Sequence, residues 1–415
     1  ADYIVKKLKE YQINIMFGHI GGYNADILSF FCGNAGNKFV LSYNEQAAAF
    51  AVNGYSIIKE TIGVAISSGA PSSCNLIPGI ANAYFDSNSC VFLAGSSHSL
   101  ACRDSKKIRQ NAFEEIDIVN LVSDITKYAV KIKSVEDVRY EIEKAFYIAE
   151  EGRKGPVLLD IPYDIARSDF DYENARPFIP LKQTYDDFRI NDVVSLLNKA
   201  KKPIILVGGG TRTLKARKHL KNILKKAMIP VVASLCGLDT LPHNHCCYLG
   251  FIGHYGNRYA NLALANSDCV LILGSRLDER QLGGYKSTLE KKCKVIRVDI
   301  DKVELGRKIP ETISIHAPAE DFLEKLEQAN LEGLNYENWH NILKRWTERY
   351  PSYNLKIKET NANNFLHIIS DYLPDDAIIC ADVGQNQMCV AQALRLDNQR
   401  RILNSAGYGS MGFSL

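Results

Sequence analysis

Glu45 opens the run Glu45-Gln46-Ala47-Ala48-Ala49-Phe50-Ala51-Val52, a lone carboxylate at the start of a helix built largely from small apolar residues. Shielding by Ala47, Ala48, Ala49 and Phe50 predicts a carboxyl that keeps its proton more readily than an exposed one, as acid–base chemistry in a pocket requires. The plainer reading is an acidic residue complementing a helix dipole. A second candidate is Asp382-Val383-Gly384-Gln385-Asn386-Gln387-Met388, which follows a strand-like run and opens a helix, where free backbone N–H groups can receive a phosphate. Gly208-Gly209-Gly210, after Pro203-Ile204-Ile205-Leu206-Val207, is as compatible with a tight turn as with a nucleotide contact. His243-Asn244-His245-Cys246-Cys247 has metal-binding residue types without the paired spacing of a zinc site.

These groups need elements to hold them. The 415 residues, 46% of them hydrophobic, are enough for two or three domains. The net charge of +3 arises from 50 basic and 47 acidic residues interspersed along the chain, so no one-signed surface for nucleic acid is expected. No apolar run reaches the ~18 residues of a membrane span, and Lys6, Lys7 and Lys9 around Leu8 suit an amphipathic helix better than a signal peptide. Eleven scattered cysteines, several in apolar runs, suit buried free thiols in a reducing compartment, so the expected location is cytoplasmic.

Strand-like runs (Gly63–Ile66, Cys90–Leu93, Pro156–Ile161) alternate with helical text up to about Ile165, predicting a parallel sheet covered by helices. A polar, proline-containing stretch follows, and the alternation resumes at Pro203–Val207, Ile229–Ala233, Cys269–Leu273 and Val295–Ile300. Ala377–Ala381 begins a third unit. The expected domains are residues 1–165, 186–330 and 354–415, with linkers at 166–185 and 331–353 and the third domain incomplete.

In order along the chain stand Phe17-Gly18-His19-Ile20-Gly21-Gly22, Glu45-Gln46-Ala47-Ala48, Ser67-Ser68-Gly69-Ala70-Pro71, Asn111-Ala112-Phe113-Glu114-Glu115, Gly155-Pro156-Val157, Asp382-Val383-Gly384-Gln385 and Ser405-Ala406-Gly407-Tyr408-Gly409-Ser410-Met411-Gly412. This ordered series resembles the thiamin diphosphate enzymes, most closely the acetolactate synthase large-subunit type. It implies an α/β, three-domain architecture: an aminopyrimidine-binding domain, a central nucleotide-binding-like domain and the start of a diphosphate-binding domain. In that family the glutamate matching Glu45 bonds a ring nitrogen of the cofactor's aminopyrimidine and favours the imino tautomer that deprotonates C2. Gly21 and Gly22 would let the backbone approach the cofactor, and Gly384, Gln385 and Asn386 would lie near its diphosphate. The Gly409 carbonyl would accept from the 4'-amino group, and Met411 would wedge between the two rings. Phe113 would line the donor pocket. Glu114 stands where glutamine is usual and His19 where tyrosine is usual, and either exchange could alter acceptor choice.

The resemblance further implies magnesium, held by oxygen ligands in a Gly-Asp-Gly segment that the family places after the position of Leu415, so the metal ligands here are unknown. In the middle domain, Gly208, Gly209 and Gly210 are candidate nucleotide contacts, and Gly253, Tyr255, Gly274, Arg276 and Asp299 fall in segments similar to those that contact flavin, implying structural FAD; relatives keep this domain with other nucleotides or with none. The implied reaction is decarboxylation of a 2-oxo acid, with pyruvate as donor, and transfer of the two-carbon carbanion to a second carbonyl compound. A keto-sugar acceptor, simple decarboxylation and a non-catalytic nucleotide-binding relative remain alternatives. The implied assembly is a homodimer or homotetramer with active sites between subunits.

Overall fold

The computed structural model describes residues 1–103, 105, 107–181, 183–283, 293–331, 336–356 and 361–415. It divides into two compact units, one of Ala1–Lys182 with Gly407–Ser410 and Leu415, the other of Gln183–Ala406 with Met411–Ser414.

The first unit is organised by six parallel strands: β1 (Ile15–Gly18), β2 (Lys38–Leu41), β3 (Gly63–Ser68), β4 (Cys90–Ser96), β5 (Tyr128–Lys131) and β6 (Pro156–Pro162). Their order across the sheet is β2-β1-β3-β4-β6-β5. In β3, β4 and β6 nearly every residue is buried, because alternate side chains enter separate cores on the two faces. Val64, Ile66, Val91, Leu93, Val157 and Leu159 pack on one side; Ala65, Cys90, Phe92, Ala94 and Leu158 pack on the other. The second core is closed by the helix Glu45–Lys59, through Ala49 and Val52, and by the helix Ile77–Asp86, through Ile80 and Ala83. The two helices approach closely because Gly79 has no side chain: a Cβ there would lie 2.3 Å from that of Ala49. Buried Asn53 fastens the pair, donating to the Gly79 carbonyl at 3.0 Å and accepting from Asn82 and Asn88 at 3.1 and 2.8 Å.

The second unit repeats the plan with β7 (Pro203–Val207), β8 (Val231–Ala233), β9 (Tyr248–Phe251), β10 (Cys269–Leu273), β11 (Lys294–Asp299) and β12 (Ile313–His316). Its order is β12-β11-β10-β7-β8-β9, again parallel throughout. A parallel pair, β13 (Ile378–Ala381) and β14 (Arg401–Asn404), completes it. Fully buried Asp239 ties this pair to the six-stranded sheet, accepting from Arg212 at 2.7 Å and from Arg401 at 2.8 Å. The two guanidinium groups outweigh the effect of burial and hold the Asp239 carboxyl far below the usual carboxylate range.

Strand order fixes where a ligand can enter. From β1 the chain goes to β2 on one side, whereas from its neighbour β3 it goes to β4 on the other, so the loops leaving β1 and β3 diverge and leave a crevice at their carboxyl ends. The same divergence occurs between β7 and β10 in the second unit.

Candidate cofactor sites

The crevice of the first unit gathers residues from three loops. Asn44 caps the helix Glu45–Lys59, its side chain accepting from the Gln46 N–H at 2.7 Å, and so places Glu45 in the first helical position. Glu45 is 9% exposed. One carboxylate oxygen accepts from the Ser72 hydroxyl at 2.8 Å and the other from the Asn75 amide at 2.9 Å. Burial pushes the Glu45 carboxyl up, but the bonds from Asn75, from its own backbone N–H and from Ser72, with the His19 ring nearby, win, and the group lies below its ordinary value. The shielding expected from the neighbouring alanines is therefore not what governs this carboxyl. Ala47 is exposed, and the surroundings that matter are the donors of the helix Gly69–Asn75, which favour the ionised form.

Ser72 and Asn75 carried no assigned role in the sequence, where they pass for polar residues of a turn. Only the fold brings them to Glu45. The same short helix receives Glu114 at its other end: the Ala70 N–H donates to the Glu114 carbonyl at 3.1 Å. A Cβ on Gly69 would fall 2.1 Å from the Glu114 carboxylate, and Gly69 has a φ of 77°. Glu114 itself adopts a left-handed φ of 53°. The Phe113 carbonyl accepts from Ser97 at 2.7 Å and from the Tyr23 hydroxyl at 3.2 Å, which leaves its ring 78% exposed.

After β1, His19 Nδ1 lies 2.9 Å from the Ser42 carbonyl. Gly21 abuts Ser68, whose Oγ would be 2.4 Å from a Cβ placed there, whereas Gly22 faces open space. Glu45, His19, Gly21 and Glu114 thus lie around the carboxyl ends of β1 and β3.

In the second unit the surroundings of the glycines accord with the tight-turn alternative that their sequence left open. A Cβ on Gly208 would sit 2.2 Å from the Gly274 carbonyl oxygen, and one on Gly274 would sit 2.6 Å from the Gly210 Cα. The N–H groups of Gly208 and Gly210 donate to the carbonyls of Leu273 and Gly274 at 2.9 and 3.1 Å. These residues let the loops after β7 and β10 pack backbone to backbone, which consumes donors a nucleotide phosphate would use; Gly209 is less crowded, since a Cβ there would lie 3.3 Å from that of Cys236. Gly253 packs under the Arg280 carbonyl, and Tyr255 is half-exposed with the Arg280 guanidinium over its ring. Arg276 is half-buried beside this crevice, and the Asp299 carboxylate accepts from the Asp301 N–H at 3.0 Å and from Arg297 at 3.3 Å.

Gly384, with φ 125°, precedes the helix Gln385–Ala393, and Gly384, Gln385 and Asn386 are all exposed. Asp382 just before them accepts from the Gly412 N–H at 2.9 Å, drawing the loop after β14 beside that helix start. Met411 in this loop is 79% exposed, an unusual position for a long apolar side chain. Gly409, which groups with the first unit, has φ 74° and open space where a Cβ would be.

Parallel sheets whose divergent loops carry polar and glycine residues characterise α/β cofactor-binding proteins. Comparison with known proteins narrows the class. Residues 1–121 match the thiamine pyrophosphate enzyme N-terminal TPP binding domain, and residues 190–326 match the thiamine pyrophosphate enzyme central domain. The acetolactate synthase large subunit of Lactococcus lactis is 31% identical over 418 residues, 99% of this chain and 71% of the relative. That of Corynebacterium glutamicum is 32% identical over 426 residues, all of this chain and 67% of the relative. The isozyme 1 large subunit of Escherichia coli is 30% identical over 419 residues, all of this chain and 73% of the relative. The chain belongs to the thiamin diphosphate enzyme family, in the group of acetolactate synthase large subunits. It is accordingly a thiamin diphosphate-dependent enzyme of the carboligase class. Among the described residues no helix is long and apolar enough to cross a membrane, and the eleven cysteines are free.

Proposed function

We propose that the protein decarboxylates a 2-oxo acid, pyruvate in the first instance, and joins the two-carbon fragment to a second carbonyl compound, as an acetolactate synthase does. The observation that carries this reading is the buried Glu45 carboxylate, gripped by Ser72 and Asn75 at the β1–β3 crevice. Thiamin diphosphate, when bound, would supply the nucleophilic carbon and the electron sink that decarboxylation of a 2-oxo acid requires. Glu45, kept ionised by its two donors, would hold a pyrimidine ring nitrogen of the cofactor by a hydrogen bond and favour a proton at that atom. Gly409 offers a carbonyl to the 4'-amino group, and the exposed Met411 is available to lie against the rings. Gly384, Gln385 and Asn386 offer an open helix start for the diphosphate. Phe113 presents an uncovered ring to the donor.

Magnesium fits the proposal as the counter-ion of the diphosphate, with no ligand assigned among residues 1–415. The donors of Gly208 and Gly210 do not fit a flavin phosphate, since both are already used, and no step is assigned to FAD. The domain bounds 1–165, 186–330 and 354–415 and an assembly of two or four copies belong to the same proposal, as does a cytoplasmic location. A second reading concerns the acceptor alone: the Glu114 carboxylate over Gly69 and the His19 ring put polar groups beside the crevice that a keto-sugar could use. Incubating the protein with pyruvate, thiamin diphosphate and magnesium and separating the products tests both. Acetolactate is the expected product, acetaldehyde alone would overturn carboligation, and Glu114→Gln is expected to shift the ratio of acceptors used.

A further inference from the structure

We propose that the loop entering β9 is a site for a soft metal ion, held by the side chains of His245, Cys246 and Cys247 with the thioether of Met228 beside them. The sequence shows residue types without familiar spacing, but the fold supplies the missing proximity. One donor atom from each of the three lies within 4.8 Å of the others. Cys246 Sγ is 4.0 Å from His245 Nδ1, and Cys247 Sγ is 4.0 Å from Met228 Sδ. In a tetrahedral site with metal–sulfur bonds of ~2.3 Å the donors are ~3.8 Å apart, so closure requires small side-chain adjustments.

The scaffold around these donors is already fixed. The Cys247 carbonyl accepts from the Val231 N–H of β8 at 2.8 Å, and the His245 N–H donates to the Pro242 carbonyl at 3.0 Å. The neighbouring His243 ring stacks on Tyr248 at 4.2 Å. Met228 ends the helix Leu214–Ala227 in a left-handed conformation, and its carbonyl lies 2.7 Å from His340 Nε2. Histidine chemistry agrees with the geometry: His245 Nδ1 accepts the Cys247 N–H at 3.2 Å, so that nitrogen bears a lone pair and faces the sulfurs. A metal would replace this long hydrogen bond, and two thiol protons would leave to solvent as two metal–sulfur bonds form. Thiolate, imidazole and thioether donors select Cu+ or Zn2+ over magnesium, the ion the diphosphate takes. The cluster lies at the amino-terminal end of β9, whereas the crevice loops leave carboxyl ends.

The test is titration of the protein, saturated with thiamin diphosphate and magnesium, with Zn2+ and, anaerobically, with Cu+, each against a chromophoric competitor, with stoichiometry read by native mass spectrometry. One equivalent per chain is expected, with affinity falling roughly tenfold or more in Cys246→Ser and in His245→Ala and unchanged in Cys32→Ser, an exposed cysteine elsewhere. Met228→Leu tests the thioether: a fall in Cu+ affinity with Zn2+ affinity kept is expected of a Met228 ligand, and unchanged affinity for both ions removes Met228 from the donor set. No bound equivalent, or equal binding by native protein and Cys246→Ser, overturns the proposal. Because Cys246 is exposed, that variant is not expected to disturb folding.

Discussion

Replacing Ser72 by alanine removes one of the two side-chain donors that hold Glu45 ionised. A hydrogen bond to a charged group contributes ~1.5–3 kcal/mol, against ~0.5–1.5 kcal/mol for a neutral one. The 2.8 Å bond to a carboxylate that is 9% exposed belongs in the first class. Ser72 also accepts from the Ser68 N–H at 2.9 Å, so part of the cost of Ser72→Ala is unrelated to Glu45. A double-mutant cycle with Glu45→Gln isolates the shared part, expected to be about 1–2 kcal/mol at neutral pH, the difference between the two classes of bond. The assay is denaturant unfolding, followed at pH 7 and again in acid. Because the folded Glu45 lies below its ordinary value, its contribution is complete above the unfolded carboxyl's range and is lost as pH falls through the folded value. The coupling should therefore shrink on acidification. A coupling that is absent at pH 7, or that persists undiminished in acid, would refute the claim that Ser72 acts on the carboxylate.

Two further outcomes follow from the packing. Gly208→Ala should lower stability by about 1–3 kcal/mol or more, since its Cβ would meet the Gly274 carbonyl at 2.2 Å, whereas Gly22→Ala, in open space, should be close to neutral; thermal denaturation of both variants checks the contrast. Asp239→Asn should cost ~3–5 kcal/mol by leaving Arg212 and Arg401 without their shared anion. The depressed Asp239 carboxyl also means that this stabilisation is complete above the ordinary carboxylate range and is lost progressively as pH falls from that range towards the folded value, which a pH series of denaturation curves would follow.

The sequence announced some elements and hid others for identifiable reasons. β3, β4, β6, β7 and β10 are buried on both faces and therefore appear as continuous apolar runs. β1, β2 and β5 span four residues each and alternate or expose their side chains, as in Lys38-Phe39-Val40-Leu41, so local text alone did not mark them as strands. Glu45 was legible because a lone acid stands out among alanines. Its partners were not, since Ser72 and Asn75, 27 and 30 positions along the chain, meet it only once the chain folds back across β3. The glycine triplet left a tight turn and a nucleotide contact equally open, and only the fold shows that Gly208 and Gly210 pack against Gly274. The exposed positions of Met411 and Phe113 followed from neither pattern nor composition.

The most direct test of the role given to Glu45 is proton exchange at C2 of bound thiamin diphosphate, measured in deuterium oxide by rapid quenching and proton NMR. The account predicts fast exchange in the native protein and, in Glu45→Gln, a slowing of roughly a hundredfold or more, with the cofactor still bound. Exchange at the native rate in that variant would contradict it.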